Sequence, residues 1–183
     1  MEFNIQSEKE LQQIADELQK ALFMKMALEA RTGKEYGATT IGLFGDLGSG
    51  KTTFTKYFAK QFGIKSKDII SPTFILQKRF DISDVKEPAE KTSTDKNKSK
   101  KTKKTQREKP QHPFKNFYHL DVYRIDDPKE IESIGWREIA ADPQNIILVE
   151  WADKIPDLLP EDVIKIYFES TGETSRRIKI EIS

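Results

Sequence analysis

The chain has 183 residues, a net charge of +1, 36% hydrophobic and 33% charged residues, and no cysteine. This length suits one domain with a sizeable core, and the lack of cysteine excludes disulfides and thiolate metal sites. The charge gives no whole-molecule attraction to nucleic acid or membranes, and no apolar run is long enough to predict a membrane span. We therefore expect a single soluble, cytoplasmic domain over residues 1–183, without a signal peptide.

The N-terminal segment predicts a short strand followed by a long helix. Phe3 and Ile5 alternate with polar residues, as in an edge strand. Ser7 and Glu10 form a capping-box pattern that marks the start of a helix. The helix is amphipathic, because apolar residues recur on one face: Leu11, Ile14, Leu18 and Leu22.

A glycine-rich stretch, residues 45–52, fits the pattern G-x-x-x-x-G-K-[ST] of phosphate-binding P-loops. Its glycines allow backbone N–H groups to turn inward around an anion, and the cation of Lys51 can reach the phosphates of a nucleoside triphosphate. The hydroxyl of Thr52 is a suitable ligand for Mg²⁺. We therefore predict that the chain binds ATP and Mg²⁺. The predicted nucleotide-binding residues of this stretch are Gly45, Asp46, Leu47, Gly48, Ser49, Gly50, Lys51, Thr52 and Thr53.

The flanks of the glycine-rich stretch support this interpretation. Residues 39–44 form a short run typical of a strand, and Gly63 follows as a stop signal for a helix that begins near Lys51. Aromatic residues recur between them at helical spacing: Phe54, Tyr57, Phe58 and Phe62. A dinucleotide-binding fingerprint fits less well, because it needs glycine where Thr53 stands.

Ser71, Pro72 and Thr73 interrupt regular structure after the helix, because the residue before a proline avoids the helical conformation. These residues form either a simple turn or a switch loop that senses the γ-phosphate, as in other P-loop NTPases. Residues 74–80 then predict a strand.

Residues 86–109 differ in composition from the rest of the chain. They contain ten basic and four acidic residues, a net charge of +6, so the remainder of the chain carries −5. Such a segment cannot bury enough apolar surface to offset the entropy of ordering, so residues 81–113 are predicted to be a disordered insertion in the domain. It is either a solvated loop without a role or a lysine-rich tether that contacts RNA.

Two later strands carry acidic residues. In residues 117–123, His119 and Asp121 share one face, for which an exposed surface is the simplest interpretation. Beside a P-loop, however, Asp121 becomes a candidate ligand of Mg²⁺ or of its water shell. Residues 146–149 are a continuous apolar run, typical of a central strand, and Glu150 follows them directly, as an acid does in the Walker B motif.

The remaining residues complete an α/β pattern. Asp127 starts a helix that continues to about residue 139 with an interruption at Gly135. Residues 163–168 and 178–182 predict two strands of a terminal hairpin. We therefore expect the P-loop NTPase fold: a central mixed β-sheet flanked by helices, with a C-terminal antiparallel hairpin.

Four motifs occur in a fixed order along the chain: residues 45–52, residues 71–74, His119-x-Asp121-x-Tyr123-Arg124, and residues 148–151. Each motif alone is weak, and the four together are quite specific. Over residues 7–170 the chain resembles the TsaE (formerly YjeE) family, bacterial ATPases needed to form threonylcarbamoyladenosine in tRNA. The resemblance implies a small P-loop ATPase that acts with the TsaD–TsaB heterodimer, which transfers the threonylcarbamoyl group, and that resets these partners between turnovers.

The resemblance also implies roles for individual residues. Lys51 is expected to bind phosphate, and Thr52 and Glu150 are expected to bind Mg²⁺. Asp121 and Glu150 form the acidic pair of the hydrolysis site. Trp151 packs near the nucleotide. Thr73, with Ser71 and Pro72, lies in a switch loop. The insertion departs from the family pattern, in which a short hairpin joins the two flanking strands, and its lysines offer an indirect contact with tRNA.

Two other functions use the same phosphate-binding loop. A small-molecule or nucleotide kinase commonly closes an arginine-rich lid over the transferred phosphoryl group, whereas the insertion here contains one arginine, Arg107, among its lysines. The second alternative is a non-catalytic nucleotide-dependent switch that binds a partner, and the three acids or hydroxyls expected around one phosphate site argue against a site without activity.

Overall fold

The computed structural model of the protein describes residues 1–29, 31–32, 36–70, 76–83 and 114–182. In this part of the chain the structure contains seven β-strands, four α-helices and three short 3₁₀ turns. The α-helices and strands, in chain order, are β1 (Glu2–Ile5), α1 (Glu8–Glu29), β2 (Thr39–Gly45), α2 (Lys51–Lys60), β3 (Gln77–Asp81), β4 (Asn116–Asp121), α3 (Lys129–Ser133), α4 (Trp136–Ala141), β5 (Asn145–Glu150), β6 (Ile164–Ser170) and β7 (Arg176–Glu181). Among the described residues, no helix has the length and apolarity that a membrane crossing requires.

The strands form one mixed sheet in the order β1-β7-β6-β2-β5-β4-β3. The four central strands, β6, β2, β5 and β4, are parallel, whereas β1, β7 and β3 pair antiparallel at the edges. The predicted mixed sheet and the C-terminal hairpin, β6–β7, are confirmed. Because β2, β4 and β5 run parallel, their carboxyl ends meet at one edge of the sheet, which is where ligands bind in open α/β sheets.

Helices cover both faces of the sheet. Helices α1 and α2 pack on one face, where aromatic residues of α2, among them Phe54 and Phe58, join Ile41 of β2 and Leu148 of β5 in the larger core cluster. Helices α3 and α4 pack on the opposite face, where Trp136 contacts a smaller cluster. All six residues of β5 are buried, as the apolar run of this strand predicts.

The N-terminal predictions are confirmed. Strand β1 pairs with β7 at the edge of the sheet. At the start of α1, the Glu10 carboxylate accepts hydrogen bonds from the backbone N–H groups of Gln6 and Ser7 at 2.7 and 3.0 Å, and the Ser7 hydroxyl accepts one from the Glu10 N–H at 3.4 Å. This reciprocal arrangement is a capping box, so the helix begins where the sequence pattern places it.

The predicted boundaries are wrong at two places. The strand expected over residues 117–123 ends at Asp121, and its face bearing His119 is buried rather than exposed, because α2 covers it. The ordered sheet also extends into the predicted insertion, since β3 continues to Asp81 and the Ile82 N–H donates to the Lys115 carbonyl at 2.8 Å. The side chain of Ile82 is fully buried in the core. Residues 84–113 lie outside the described residues.

The helix predicted after Asp127 is divided in two. Its interruption falls between α3 and α4 at Gly135, which has a left-handed backbone conformation with a φ of 78°. The predicted break is therefore confirmed. The turn that follows Trp151 brings residues 152–158, which form two 3₁₀ turns, across the end of β5.

Candidate active site

The loop between β2 and α2 depends on glycine at both of its ends. Gly45 ends β2 with a φ of 133°, and a Cβ atom there would lie 2.2 Å from the carbonyl oxygen of Phe168. Gly50 precedes α2 with a φ of 110°, a conformation that side chains disfavour. The ten residues of α2 therefore start directly from the loop, so the unpaired N–H groups of its first turn face the same space.

Alanine at Gly45 is expected to destabilise the protein by about 3 kcal/mol or more, because the new Cβ atom meets backbone and the backbone conformation is strained. Gly48→Ala is the matched control. Its φ is 76°, but no atom lies within 4 Å of the added Cβ. We expect a loss of about 1–2 kcal/mol from the left-handed conformation alone. Urea unfolding of both variants tests the difference, and equal losses would contradict the contact with Phe168.

Lys51 folds back onto the loop that precedes it. Its Nζ donates to the carbonyls of Gly45 at 2.6 Å and Asp46 at 2.8 Å, and it lies 3.8 Å from the ring centroid of Trp151. Burial lowers the pKa of Lys51, while the carboxylates of Glu150, Asp153, Asp121 and Asp46 act in the opposite direction. Lys51 therefore lies among several carboxylates.

Glu150, the last residue of β5, is held by three side chains. Its Oε2 accepts a hydrogen bond from Thr52 at 2.6 Å, and its Oε1 lies 3.0 Å from the Thr55 hydroxyl and 2.8 Å from Nε2 of His119. The carboxylate is 1% exposed. Helix α2 supplies the two threonines and β4 supplies the histidine, so the packing of α2 on the sheet assembles the cluster.

Asp121 lies directly beside Glu150 on the neighbouring strand, because the two residues are paired in the parallel register of β4 and β5. The Asp121 side chain is nearly buried, and its Oδ1 accepts a hydrogen bond from the Tyr123 N–H at 3.0 Å. Its charge acts on Lys51. The structure thus brings the two predicted acids to the same edge of the sheet.

A cleft that is open to solvent lies over the loop. Its lining residues are Leu47, Gly48, Gly50, Lys51, Thr52, Thr53, Glu150 and Trp151. The predicted residues Gly45 and Asp46 contribute their carbonyls to Lys51 rather than lining the cleft. Ser49 is buried, and its Oγ has no hydrogen-bond partner among the described residues. An unpaired hydroxyl beside glycines and a lysine suits an anionic ligand.

Trp151 shapes the cleft through an unusual backbone conformation. It is the only non-glycine residue with a positive φ, 62°, in the described part of the chain. The conformation turns the chain sharply at the end of β5, and the ring lies against Lys51 and, at 4.8 Å between centroids, Tyr123. A strained conformation of this kind persists when the surrounding structure holds it. The predicted switch loop, Ser71, Pro72 and Thr73, lies outside the described residues.

Sequence reasoning did not assign a site role to Thr55, His119 or Asp153. Thr55 lies one helical turn after Lys51, so it shares the face of α2 that meets Glu150, and this spacing was a usable signal. His119 lies two residues before Asp121 and therefore on the same face of β4. Asp153 follows the turn at Trp151, and no pattern in the sequence indicates that its charge acts on Lys51.

The donor atoms at this edge of the sheet fit Mg²⁺. Thr52, Glu150 and Asp121 offer hydroxyl and carboxylate oxygens, which hard divalent cations prefer. Across the described ranges there is no cluster of three or more His, Cys, Asp or Glu residues that could hold a metal ion by itself. Mg²⁺ is usually held by one or two carboxylates together with substrate phosphates and water.

The fold and the site together define a mixed α/β protein with a glycine loop, one lysine and two carboxylates at a single edge of its sheet. A family model described as "Threonylcarbamoyl adenosine biosynthesis protein TsaE" matches residues 5–90 and 102–178. Because this match covers most of the chain, the protein belongs to the TsaE family, and the predicted resemblance is confirmed.

Curated relatives carry the same family name. The chain is 35% identical over 136 residues to the tRNA threonylcarbamoyladenosine biosynthesis protein TsaE of Bacillus subtilis (strain 168), covering 74% of this chain and 65% of that protein. It is 33% identical over 138 residues to TsaE of Rickettsia typhi, covering 75% of this chain and 74% of that protein. The chain therefore spans about two thirds to three quarters of the length of these relatives.

A solved structure shares the fold. The crystal structure of Bacillus subtilis YdiB matches this chain with a TM-score of 0.56 and 23% sequence identity, covering 100% of this chain and 86% of that chain. The likeness shows that the two chains share the fold of the sheet and its helices.

Proposed function

We propose that the protein is a P-loop ATPase that binds and hydrolyses MgATP at the β2–α2 loop during formation of threonylcarbamoyladenosine in tRNA. The observation that carries the proposal is the convergence of Lys51, Thr52 and Glu150 at one loop, with Oγ1 of Thr52 2.6 Å from the Glu150 carboxylate. Membership in the TsaE family supports the tRNA-modification context.

Phosphate binding is assigned to the loop and to the first turn of α2. The N–H groups there and the positive end of the helix stabilise an anion. Lys51 supplies the mobile charge, and its two hydrogen bonds to the Gly45 and Asp46 carbonyls would be exchanged in part for contacts with phosphate oxygens. Leu47, Gly48 and Thr53 bound the remaining space of the cleft.

Thr52, Glu150 and Asp121 would hold Mg²⁺, which neutralises charge on the phosphates when bound. Thr52 and Glu150 are already oriented toward each other, so the side chains need little rearrangement. The Asp121 and Glu150 carboxylates can accept hydrogen bonds from a water molecule and orient it for attack on the terminal phosphorus. Trp151 covers the Lys51 side of the site and limits access of solvent to the lysine.

The proposed partners are the TsaD–TsaB heterodimer and, through it, tRNA. The test is ATP turnover by the purified protein alone, with TsaD–TsaB, and with TsaD–TsaB and tRNA, together with the yield of threonylcarbamoyladenosine. We expect magnesium-dependent release of inorganic phosphate that TsaD–TsaB increases, and repeated rounds of modification only when the protein is present. Transfer of the phosphoryl group to a small molecule would instead identify a kinase, and binding without turnover would identify a switch.

Removing the lysine-rich insertion is expected to leave the fold and ATP affinity unchanged. Strand β3 precedes the insertion, strand β4 follows it, and the two strands pair with each other. Ile82 and Phe114, which flank the insertion, are both buried in the core. A variant in which a short glycine-containing turn replaces residues 84–111 therefore loses no described core residue. Its thermal unfolding midpoint and its affinity for MgATP should match those of the wild type.

The same variant decides whether the insertion contacts RNA. We expect parallel salt dependence for the wild type and the deletion when each is titrated against the tRNA-bound TsaD–TsaB complex, as for a passive loop. If the lysines contact phosphates, each lost contact lowers the slope of log K against log salt by roughly 0.7–0.9. A flatter slope for the deletion would therefore contradict the passive interpretation and assign an RNA contact to the insertion.

A further inference from the structure

The buried imidazole of His119 contacts the Glu150 carboxylate from the side opposite Thr52. Nε2 of His119 lies 2.8 Å from Oε1 of Glu150, and both side chains are 1% exposed. His119 pairs with Leu148 in the register of β4 and β5, so it lies diagonally behind Glu150 on the face covered by α2. The histidine does not line the cleft, so it does not reach a bound nucleotide.

The direction of this hydrogen bond follows from the chemistry of the two groups. An ionised carboxylate only accepts hydrogen bonds, so beside ionised Glu150 the Nε2 atom of His119 carries the proton and donates. Nδ1 of the same ring is buried and has no hydrogen-bond partner among the described residues. Leaving a buried polar atom unpaired is unfavourable. If the side chain at this position only filled space in the core, an apolar residue would therefore be more stable there than histidine. The contact with Glu150 is the polar interaction that the imidazole makes in the described structure.

Thr55 cannot replace this donor. Its hydroxyl lies 3.0 Å from the Lys51 carbonyl and 3.0 Å from Oε1 of Glu150, and it has a single proton to donate. Thr55 therefore divides its proton between two acceptors, whereas His119 directs its proton to Oε1 alone. With Oε1 held in this way, the carboxylate cannot rotate freely, and Oε2 stays directed toward Thr52 at the edge of the cleft.

We propose that His119 is a positioning residue that fixes the Glu150 carboxylate so that Oε2 faces the metal and nucleotide. The proposal rests on the function proposed for the same site and names a residue on which that function depends. Side chains behind a metal ligand commonly orient it, and their replacement typically lowers metal affinity or activity about 10- to 100-fold.

Two substitutions separate positioning from packing. His119→Leu removes the donor and keeps an apolar side chain of similar bulk, whereas His119→Gln retains an N–H donor that can reach the same carboxylate. We expect the leucine variant to lower kcat, and the affinity for Mn²⁺ in the presence of ADP, by about 10- to 100-fold. KM for ATP should change much less, because the loop holds the phosphates. The glutamine variant should recover most of both losses.

The Mn²⁺ affinity, measured by electron paramagnetic resonance, does not require turnover, so the inference is tested even if the protein hydrolyses no ATP. Equal losses in the leucine and glutamine variants, or none in either, would overturn the proposal.

If the leucine variant does not fold, ¹⁵N side-chain NMR spectra of the wild type test the proposal instead. The chain has two histidines, so the spectra are simple to assign with the glutamine variant. A His119 ring protonated at Nε2 supports the proposal, and one protonated at Nδ1 alone contradicts it.

Discussion

Replacing Glu150 with glutamine is expected to lower ATP turnover about 100-fold while leaving much of the nucleotide affinity intact. The loop and Lys51 hold the phosphates, whereas the carboxylate acts on Mg²⁺ and the attacking water. Glutamine keeps the size of the side chain and an oxygen that can accept from Thr55 and His119, while its amide nitrogen would face Thr52. Glu150→Ala should lose at least as much activity, with an added loss of stability because these three groups lose their acceptor.

Turnover should be measured with TsaD–TsaB present, because slow basal hydrolysis would hide the effect. Glu169→Gln on β6 is the control, since Glu169 is an exposed glutamate paired with Arg177 and lies outside the cleft lining.

Asp121→Ala should also retain nucleotide and lose turnover, as expected for a carboxylate paired with Glu150 in the register of β4 and β5. Normal turnover in either variant would remove that residue from the catalytic site.

Replacing Lys51 with alanine is expected to weaken MgATP binding about 100-fold or more. The substitution removes the cation in the described loop and its charge-assisted hydrogen bonds to phosphate, each worth about 1.5–3 kcal/mol. It also removes the hydrogen bonds that Nζ donates to Gly45 and Asp46, so the loop itself becomes less constrained. Calorimetric titration with MgATP measures the change directly.

Lys60→Ala is the matched control for Lys51. It removes the same charge from the same helix, but Lys60 is exposed in the last turn of α2, far from the loop. We expect its ATP affinity to stay within about twofold of the wild type, because exposed charges at this separation are screened. Unfolding curves for both variants distinguish loss of binding from loss of fold. Unchanged affinity in Lys51→Ala would show that the loop is not the phosphate site.

The elements around the loop were predictable because their signals are local. The pattern of residues 45–52 requires a strand before it and a helix after it, and the structure places β2 and α2 there. The position of Glu150 was also predictable, since an acid that follows a buried strand must emerge at the carboxyl edge of the sheet. These features depend on alternation, glycine spacing and chain order rather than on distant contacts.

The features that sequence reasoning missed depend on tertiary packing. The buried face of β4, with His119 pressed against Glu150, exists because α2 covers it, and the composition of the strand does not reveal that cover. The start of the insertion at residue 81 was wrong because the burial of Ile82 depends on pairing with β4, which follows 30 or more residues later. The contact between Lys51 and Trp151 likewise requires the left-handed turn at Trp151.

The most direct test of the central claim is a crystal structure of the protein with Mg²⁺ and a non-hydrolysable ATP analogue. We expect the β- and γ-phosphates in the β2–α2 loop, contacted by Lys51, with Mg²⁺ at Thr52 and at one or both of Asp121 and Glu150. His119 should keep its hydrogen bond to Glu150. A nucleotide bound elsewhere on the protein, or a β2–α2 loop that stays empty at saturating analogue, would contradict the assignment of this loop as the ATP site.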